Sequence, residues 1–422
     1  MIDGEPACFA PVEVRGRVLD LGTNAGIAGA RVTAVDVNSA PASGVIASGT
    51  DGSYRLRIPA ARAADGTPSP LEVTLRADAS AYQSFPGPIR QALPVDVATA
   101  VDVDGTLVVQ STITDIGLIA QPAGTGTGSI HGIADVPDDG RGVLVVAEAN
   151  GKGFAVIAAN TGDYQIYNLE AGTYQVTAYS VGHVYDIGEA TVNNATVELN
   201  LHLNDQAAGQ IDGTVSIVDG GGASATSVIA FIESTFDPLT GRGVSVPGLR
   251  APETGVPNIS GAFSLPGTPP GNYVVVAAFE NDGLVRDPDR CIAGTEDVHV
   301  TVAPGATVTA PTTFKITGAL TVNSPGAVAA EPVTTVPTFS WVDDSSEDQY
   351  IVELFDAFGQ QVWTKTIPGV SGSNPTLTYD GTAPLVSGMY YQWRVTSTRS
   401  TGGTTQCNIS RSEDLKGVFF IP

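Results

Sequence analysis

Apolar and polar residues alternate along this chain over short stretches rich in Val, Thr, Ile and Tyr, and clusters of Gly, Asp, Asn and Pro separate one stretch from the next. A period of two marks a strand with one face buried, whereas the three-to-four spacing of an amphipathic helix is nearly absent. The pattern predicts many short strands of the kind that stack as β-sandwiches. Within 172–179, for example, Tyr174, Val176 and Ala178 share one face and Gln175, Thr177 and Tyr179 the other. One face is then core, and the other is wet or covered.

The chain also repeats itself. An opening strand holds a Gly among apolar residues: Val14-Arg-Gly-Arg-Val18, Ile130-His-Gly-Ile133 and Ile211-Asp-Gly-Thr-Val215. A strand of small and apolar residues follows at 30–35, 143–147 and 228–232. A turn then feeds an aromatic strand: Thr50-Asp-Gly-Ser-Tyr54, Thr161-Gly-Asp-Tyr164 and Ser260-Gly-Ala-Phe263. Gly in such a turn supplies the positive φ, and the aromatic after it points inward. Copies two and three continue with Ala171-Gly-Thr-Tyr174 and Pro270-Gly-Asn-Tyr273. Copy one lacks that element and runs long over 71–119, and copy three carries an insertion over 234–258.

Gly-x-Val, then Gly-Ala-x-Val, then Thr-Asp-Gly-Ser-Tyr resembles the carboxypeptidase regulatory-like, transthyretin-like sandwich module of bacterial surface proteins. The last hundred residues follow another pattern and hold all three tryptophans. Pro337-Thr-Phe-Ser-Trp341, Tyr350-Ile-Val-Glu-Leu-Phe355, Gln361-Val-Trp363 and the run 385–395 resemble strands B, C, C′ and F of a fibronectin type III domain, with Tyr391 where that family's tyrosine corner falls. The implied fold is all-β, a tandem array of four Ig-like or transthyretin-like β-sandwiches. Its parts are an N-terminal extension (1–13), module 1 (14–123), module 2 (128–206), module 3 (208–318) and a fibronectin-like module 4 (319–422). Both resemblances imply non-catalytic modules that carry no function by fold alone.

Composition changes the setting. The 49 Gly and 28 Pro in 422 residues are spread along the whole length, which excludes a coiled coil or helical bundle. With 20 basic against 44 acidic residues the net charge is −24, so phosphate backbones and anionic lipid repel the chain. No apolar run is long enough to span a bilayer. The start, Met-Ile-Asp-Gly-Glu, lacks the basic and apolar regions of a signal peptide, so either a leader has been removed or the protein is cytosolic. Composition favours the first. The expected location is extracellular or on the cell surface.

Little of the sequence suggests chemistry. His131, His183, His202 and His299 are scattered singly, none in a zinc spacing, and no nucleophile elbow, Walker loop or metalloprotease motif occurs. The runs Gly124-Thr-Gly-Thr-Gly128 and Gly220-Gly-Gly222 precede no helix and read as a linker and a hairpin loop. Acidic groups at Asp135, Asp138 and Asp139, at Asp287 and Asp289, and at Asp343, Asp344, Glu347 and Asp348 lack the twelve-residue calcium-loop pattern and read as solvated loops. No catalytic residue, cofactor or metal is expected. The sequons at Asn194, Asn258 and Asn408 adjoin expected turns and are candidate sites for covalent glycans.

These features point to a non-enzymatic extracellular structural protein, a homo-oligomer whose subunits join head to tail into a fibre. An adhesin or glycan-binding array is the alternative, marked by exposed aromatics gathered on one sheet. Residues 2–11 read as an extension with no place in their own sandwich, so that Cys8, Phe9 and Ala10 are a candidate donor strand for a fibronectin-like sheet edge in the next subunit. Of the three cysteines, Cys8 and Cys407 lie near opposite ends of a strung-out array and are the candidate interchain disulfide. An intrachain arrangement involving Cys291 is the other option.

Overall fold

The computed structural model describes all residues except 1–8, 37–40, 88–89, 123, 239–240, 253–256, 278–281, 287–294, 345, 372 and 402–404. It is almost entirely β, and the four-sandwich array is present. Modules 1 to 3 share one plan. The opening strands Phe9–Asp20, Gly128–Ile133 and Gly209–Val218 each pair antiparallel with an aromatic strand, Ser53–Ala61, Asp163–Leu169 and Ala262–Thr268. Each also pairs in parallel with a late strand of its own module: Val18 faces Ile116, Ile130 faces Val197, and Val215 faces Phe314. A second sheet covers this one. In module 2 it runs Lys152–Ile157, Leu144–Ala149, Gly172–Tyr179, Gly188–Val192.

Alternation explains the layering. Along Ser53–Ala61, Tyr54, Leu56, Ile58 and Ala60 are buried and their neighbours exposed. The repeated Gly has a physical reason that register makes plain. Gly16, Gly132 and Gly213 sit directly opposite Tyr54, Tyr164 and Phe263. A Cβ on Gly132 would lie 1.9 Å from the Leu199 carbonyl oxygen, and one on Gly16 2.0 Å from that of Thr114. Those same carbonyls accept the hydroxyls of Tyr164 and Tyr54. In module 3 the ring tip of Phe263 fills the space instead, 2.4 Å from where a Gly213 Cβ would stand.

Two boundaries differ from the sequence reading. The segment 234–258 is not a simple insertion, because it contains Ser245–Ala251, which pairs with Val228–Ile232 as the edge strand of the second sheet, the counterpart of Lys152–Ile157. The extension is shorter than expected: the backbone is paired from Phe9 onward, with Phe9 opposite Ala61 and Ala10 opposite Ala60. Phe9 and Ala10 therefore already have a place in their own sandwich, and Cys8 lies outside the described residues.

Module 4 packs Phe339, Trp341, Tyr350, Trp393 and Phe419 into a buried aromatic core. The Tyr391 hydroxyl accepts the Val386 amide at 2.9 Å, five residues upstream.

The modules are not strung out. Along Leu144–Ala149, Val145 and Ala147 enter module 2's own core, whereas Leu144 and Val146 join Tyr179 in an apolar cluster continuous with the core of module 3. The second face of this sheet is thus covered by a neighbour. Module 4 returns to module 1: Val418 is buried in module 1's core, and the Thr112 hydroxyl donates to the Gly388 carbonyl at 2.6 Å. Arg31 with Asp163 (2.6 Å) links modules 1 and 2, and Arg250 with Asp36 (3.1 Å) links modules 3 and 1.

Candidate functional site: the cavity between modules

Where the modules converge they border a partly open cavity of about 610 Å³ lined by residues of all four. Its apolar wall comes from Val35 of module 1, Phe154, Val156 and Ile157 of module 2, and Phe231 and Val244 of module 3. The strand Lys152–Ile157 reaches it as the sheet edge nearest module 3. It can do so because Gly153 has no Cβ, which would lie 2.4 Å from the Ser234 hydroxyl.

Charged groups line the rest, and most are neutralised locally. Arg76 pairs with Asp78 at 3.2 Å and donates to the Ala155 carbonyl at 2.6 Å. Asp414 joins modules 3 and 4 by forming an ion pair with Arg242 at 2.8 Å and accepting from Arg394 at 2.9 Å. Burial alone would raise the Asp414 carboxyl, but Arg242, Arg394 and Arg411 together hold it far below the usual carboxylate range. Burial brings Arg394 down to about 10 against the pull of Asp414. Beside them, burial pushes Glu413 up to about 7, opposed by the Gly283 amide that it accepts at 2.7 Å.

Arg90 differs from the other arginines of the cavity. It is 4% exposed, lies 5.1 Å over the Phe85 ring, and donates through Nη1 to the Gly117 carbonyl, while Nη2 has no hydrogen-bond partner. Burial lowers its pKa, and only the more distant Asp356 works the other way. One oxygen of the Asp356 carboxylate, Oδ1, accepts the amides of Phe358 and Gln360. Next to Arg90, the Gln91 carbonyl oxygen Oε1 is likewise buried without a partner. The cavity's described lining includes no His, Cys or Lys, so the groups at hand can hold a ligand by charge and contact.

The residues singled out from sequence lie elsewhere. Asn194 and Asn258 are exposed and outside strands, as expected. Asn408 is exposed too, but it lies within Thr405–Arg411 opposite Thr398, and its sequon's Ser410 is buried with its hydroxyl on the Gly318 carbonyl. Cys407 is buried and disulfide-bonded within the chain, so its sulfur is not available to lock one subunit to another. Cys8 and Cys291 lie outside the described residues. Among the described residues, no group of three or more His, Cys, Asp or Glu is placed to hold a metal ion. Asp135 and Asp139 pair with His202 and His183, and Asp343 and Asp344 accept the Tyr350 and Ser397 hydroxyls. Asp287 and Asp289 lie outside the described residues. Sequence reading missed Arg90 and the Arg242–Asp414–Arg394 trio, since each gains its meaning only from contacts between modules.

No family model matches the sequence, and no curated protein does. Solved structures similar to it include the Bacillus anthracis TIE protein, at 12% identity over 100% of this chain and 74% of that one, TM-score 0.17. Two B repeat units of the collagen-binding protein of Staphylococcus aureus match at 14% identity over 96% and 100%, TM-score 0.19. The shaft pilin SpaA of Lactobacillus rhamnosus GG matches at 9% over 47% and 98%, TM-score 0.19. At such TM-scores these likenesses carry no functional argument. Among the described residues, no helix is long and apolar enough to cross a membrane.

Proposed function

We propose that this chain is a non-enzymatic extracellular structural protein, a subunit of a surface fibre, built from three carboxypeptidase regulatory-like modules and one fibronectin type III-like module. The observation that carries the reading is the locking of four sandwiches into one block, by the shared apolar cluster of modules 2 and 3 and by the Asp414 ion pairs of modules 3 and 4. A bead-string adhesin has no need of such fixed contacts. The disulfide at Cys407 suits an oxidising compartment. An aromatic glycan-binding platform finds no support, because no aromatic among the described residues is fully exposed.

Subunits join by strand addition. The eight-residue edge strand Gln361–Pro368, mostly exposed and paired on one side to Gln349–Asp356, offers an acceptor edge. Residues 2–8, ahead of the first paired position, are the donor. Electron microscopy of native surface material labelled with antibody to this chain tests the reading, together with a deletion of residues 2–8. Labelled filaments that disappear with the deletion are expected. Native surfaces that carry the protein without any filament would overturn the fibre reading, and filaments that survive the deletion would overturn strand donation.

A further inference from the structure

We propose that the cavity between the modules binds a small amphipathic carboxylate, its carboxylate on Arg90 and its apolar chain along the wall formed by Phe154, Val156 and Phe231. The argument starts from Arg90. A buried guanidinium without a carboxylate partner is costly, because desolvation is not offset by a counter-charge. This chain has 44 acidic residues against 20 basic ones, yet among the described residues none of the 44 forms an ion pair with Arg90. Every other arginine lining the cavity is already held by a carboxylate: Arg76 by Asp78, and Arg242 and Arg394 by Asp414. One unmet positive charge selects a monoanion over a phosphate dianion.

The remaining wall selects the rest of the ligand. Side chains of Val35, Ile157 and Val244 complete the apolar lining, and about 610 Å³ lies within the range of roughly 300–1,000 Å³ typical of small-molecule sites. A carboxylate on Arg90 Nη2 would satisfy a buried guanidinium nitrogen that has neither a hydrogen bond nor an ion pair in the protein, and the hydrogen bond would be charge-assisted. Because the walls come from different modules, the site exists only while the modules remain packed. This role stands apart from fibre assembly and does not depend on it.

Isothermal titration calorimetry on the full chain tests the proposal, with octanoate, 1-octanol and acetate as probes. Octanoate should bind at least tenfold more tightly than either octanol, which lacks the charge, or acetate, which lacks the chain. Arg90→Met, which keeps an apolar stem, should weaken octanoate at least tenfold and leave octanol unchanged, and Arg90→Lys should restore part of the difference. No octanoate binding, equal binding of octanoate and octanol, or full octanoate affinity in Arg90→Met would each overturn the proposal. Should Arg90→Met fail to fold, the wild-type comparison of the three probes and the Arg90→Lys protein still decide it.

Discussion

Replacing Gly132 by Ala should damage module 2 far more than one methyl group ordinarily does. The added Cβ would stand 1.9 Å from the Leu199 carbonyl oxygen and 2.7 Å from its carbon, both backbone atoms that no rotamer change can move aside. The opening strand and the chain at Leu199 must therefore separate by more than an ångström. Overpacking of this kind costs about 1–3 kcal/mol. The same movement pulls the Leu199 carbonyl from the Tyr164 hydroxyl, now 2.6 Å away, and a buried hydroxyl left unpaired costs about 1–3 kcal/mol more. Together about 2–6 kcal/mol is a large share of the roughly 5–15 kcal/mol that holds a domain folded. Gly172→Ala is the control, since its Cβ would meet nothing nearer than the Tyr174 ring at 3.8 Å, and it should change stability by about 0.5 kcal/mol or less. Urea unfolding combined with hydrogen exchange, read on peptides from Gly128–Ile133 and Asp163–Leu169, localises the loss. Equal effects of the two substitutions would refute the role assigned to the repeated Gly and aromatic pair.

Other outcomes follow from the contacts between modules. Glu413 has a folded pKa near 7 against an ordinary 4.5, so it contributes stability that is full below about pH 4.5 and is lost as pH rises towards 7. The loss, about 3 kcal/mol, should show in urea midpoints between pH 4.5 and 8 and should be absent in Glu413→Gln. Gly359 has φ +73° and a Cβ there would stand 2.4 Å from the Gln91 carbonyl oxygen, so Gly359→Ala should loosen module 4 from module 1. A larger radius of gyration by X-ray scattering, with unchanged circular dichroism, is the expected result. Cys407 faces Arg399, about 30 Å along its strand from Tyr390, the residue that packs on module 1, while Leu284–Arg286 of module 3 lies against Thr405–Arg411. Peptide mapping without reduction should accordingly recover Cys291 joined to Cys407 and Cys8 as an alkylated free thiol.

What the sequence made legible was local. Strand period, the turn before Tyr54 and Tyr164, and the tryptophan-bearing fourth module each depend on neighbours a few residues apart, and alternate burial along Ser53–Ala61 follows the written pattern residue by residue. Ser245–Ala251 was hidden because a Pro and a Gly interrupt its alternation, while its place is set by pairing to Val228–Ile232. Phe9 and Ala10 looked unpartnered because the strand that holds them, ending at Ala61, lies some fifty residues on. The closed arrangement was illegible for a related reason. Leu144 and Val146 read as either a second core face or an exposed one, and only the surface of module 3 decides between them. Arg90 gives no signal in one dimension, since its isolation is a matter of which carboxylates the fold brings near.

The parallel pairing of entry and exit strands bears on how the modules meet a pulling force. In module 3 the chain enters at the start of Gly209–Val218 and leaves at the end of Phe314–Gly318, and those strands run side by side in the same direction. Module 1 does likewise, its opening strand Phe9–Asp20 running parallel to Ile116–Leu118 near its end. Tension applied through the two ends of such a unit slides one strand along the other, so the hydrogen bonds between them share the load at once. In a hairpin pulled from its open end they would give way one after another. Modules 1 and 3 therefore resist stretching in shear, with rupture governed by the rate of crossing a single barrier.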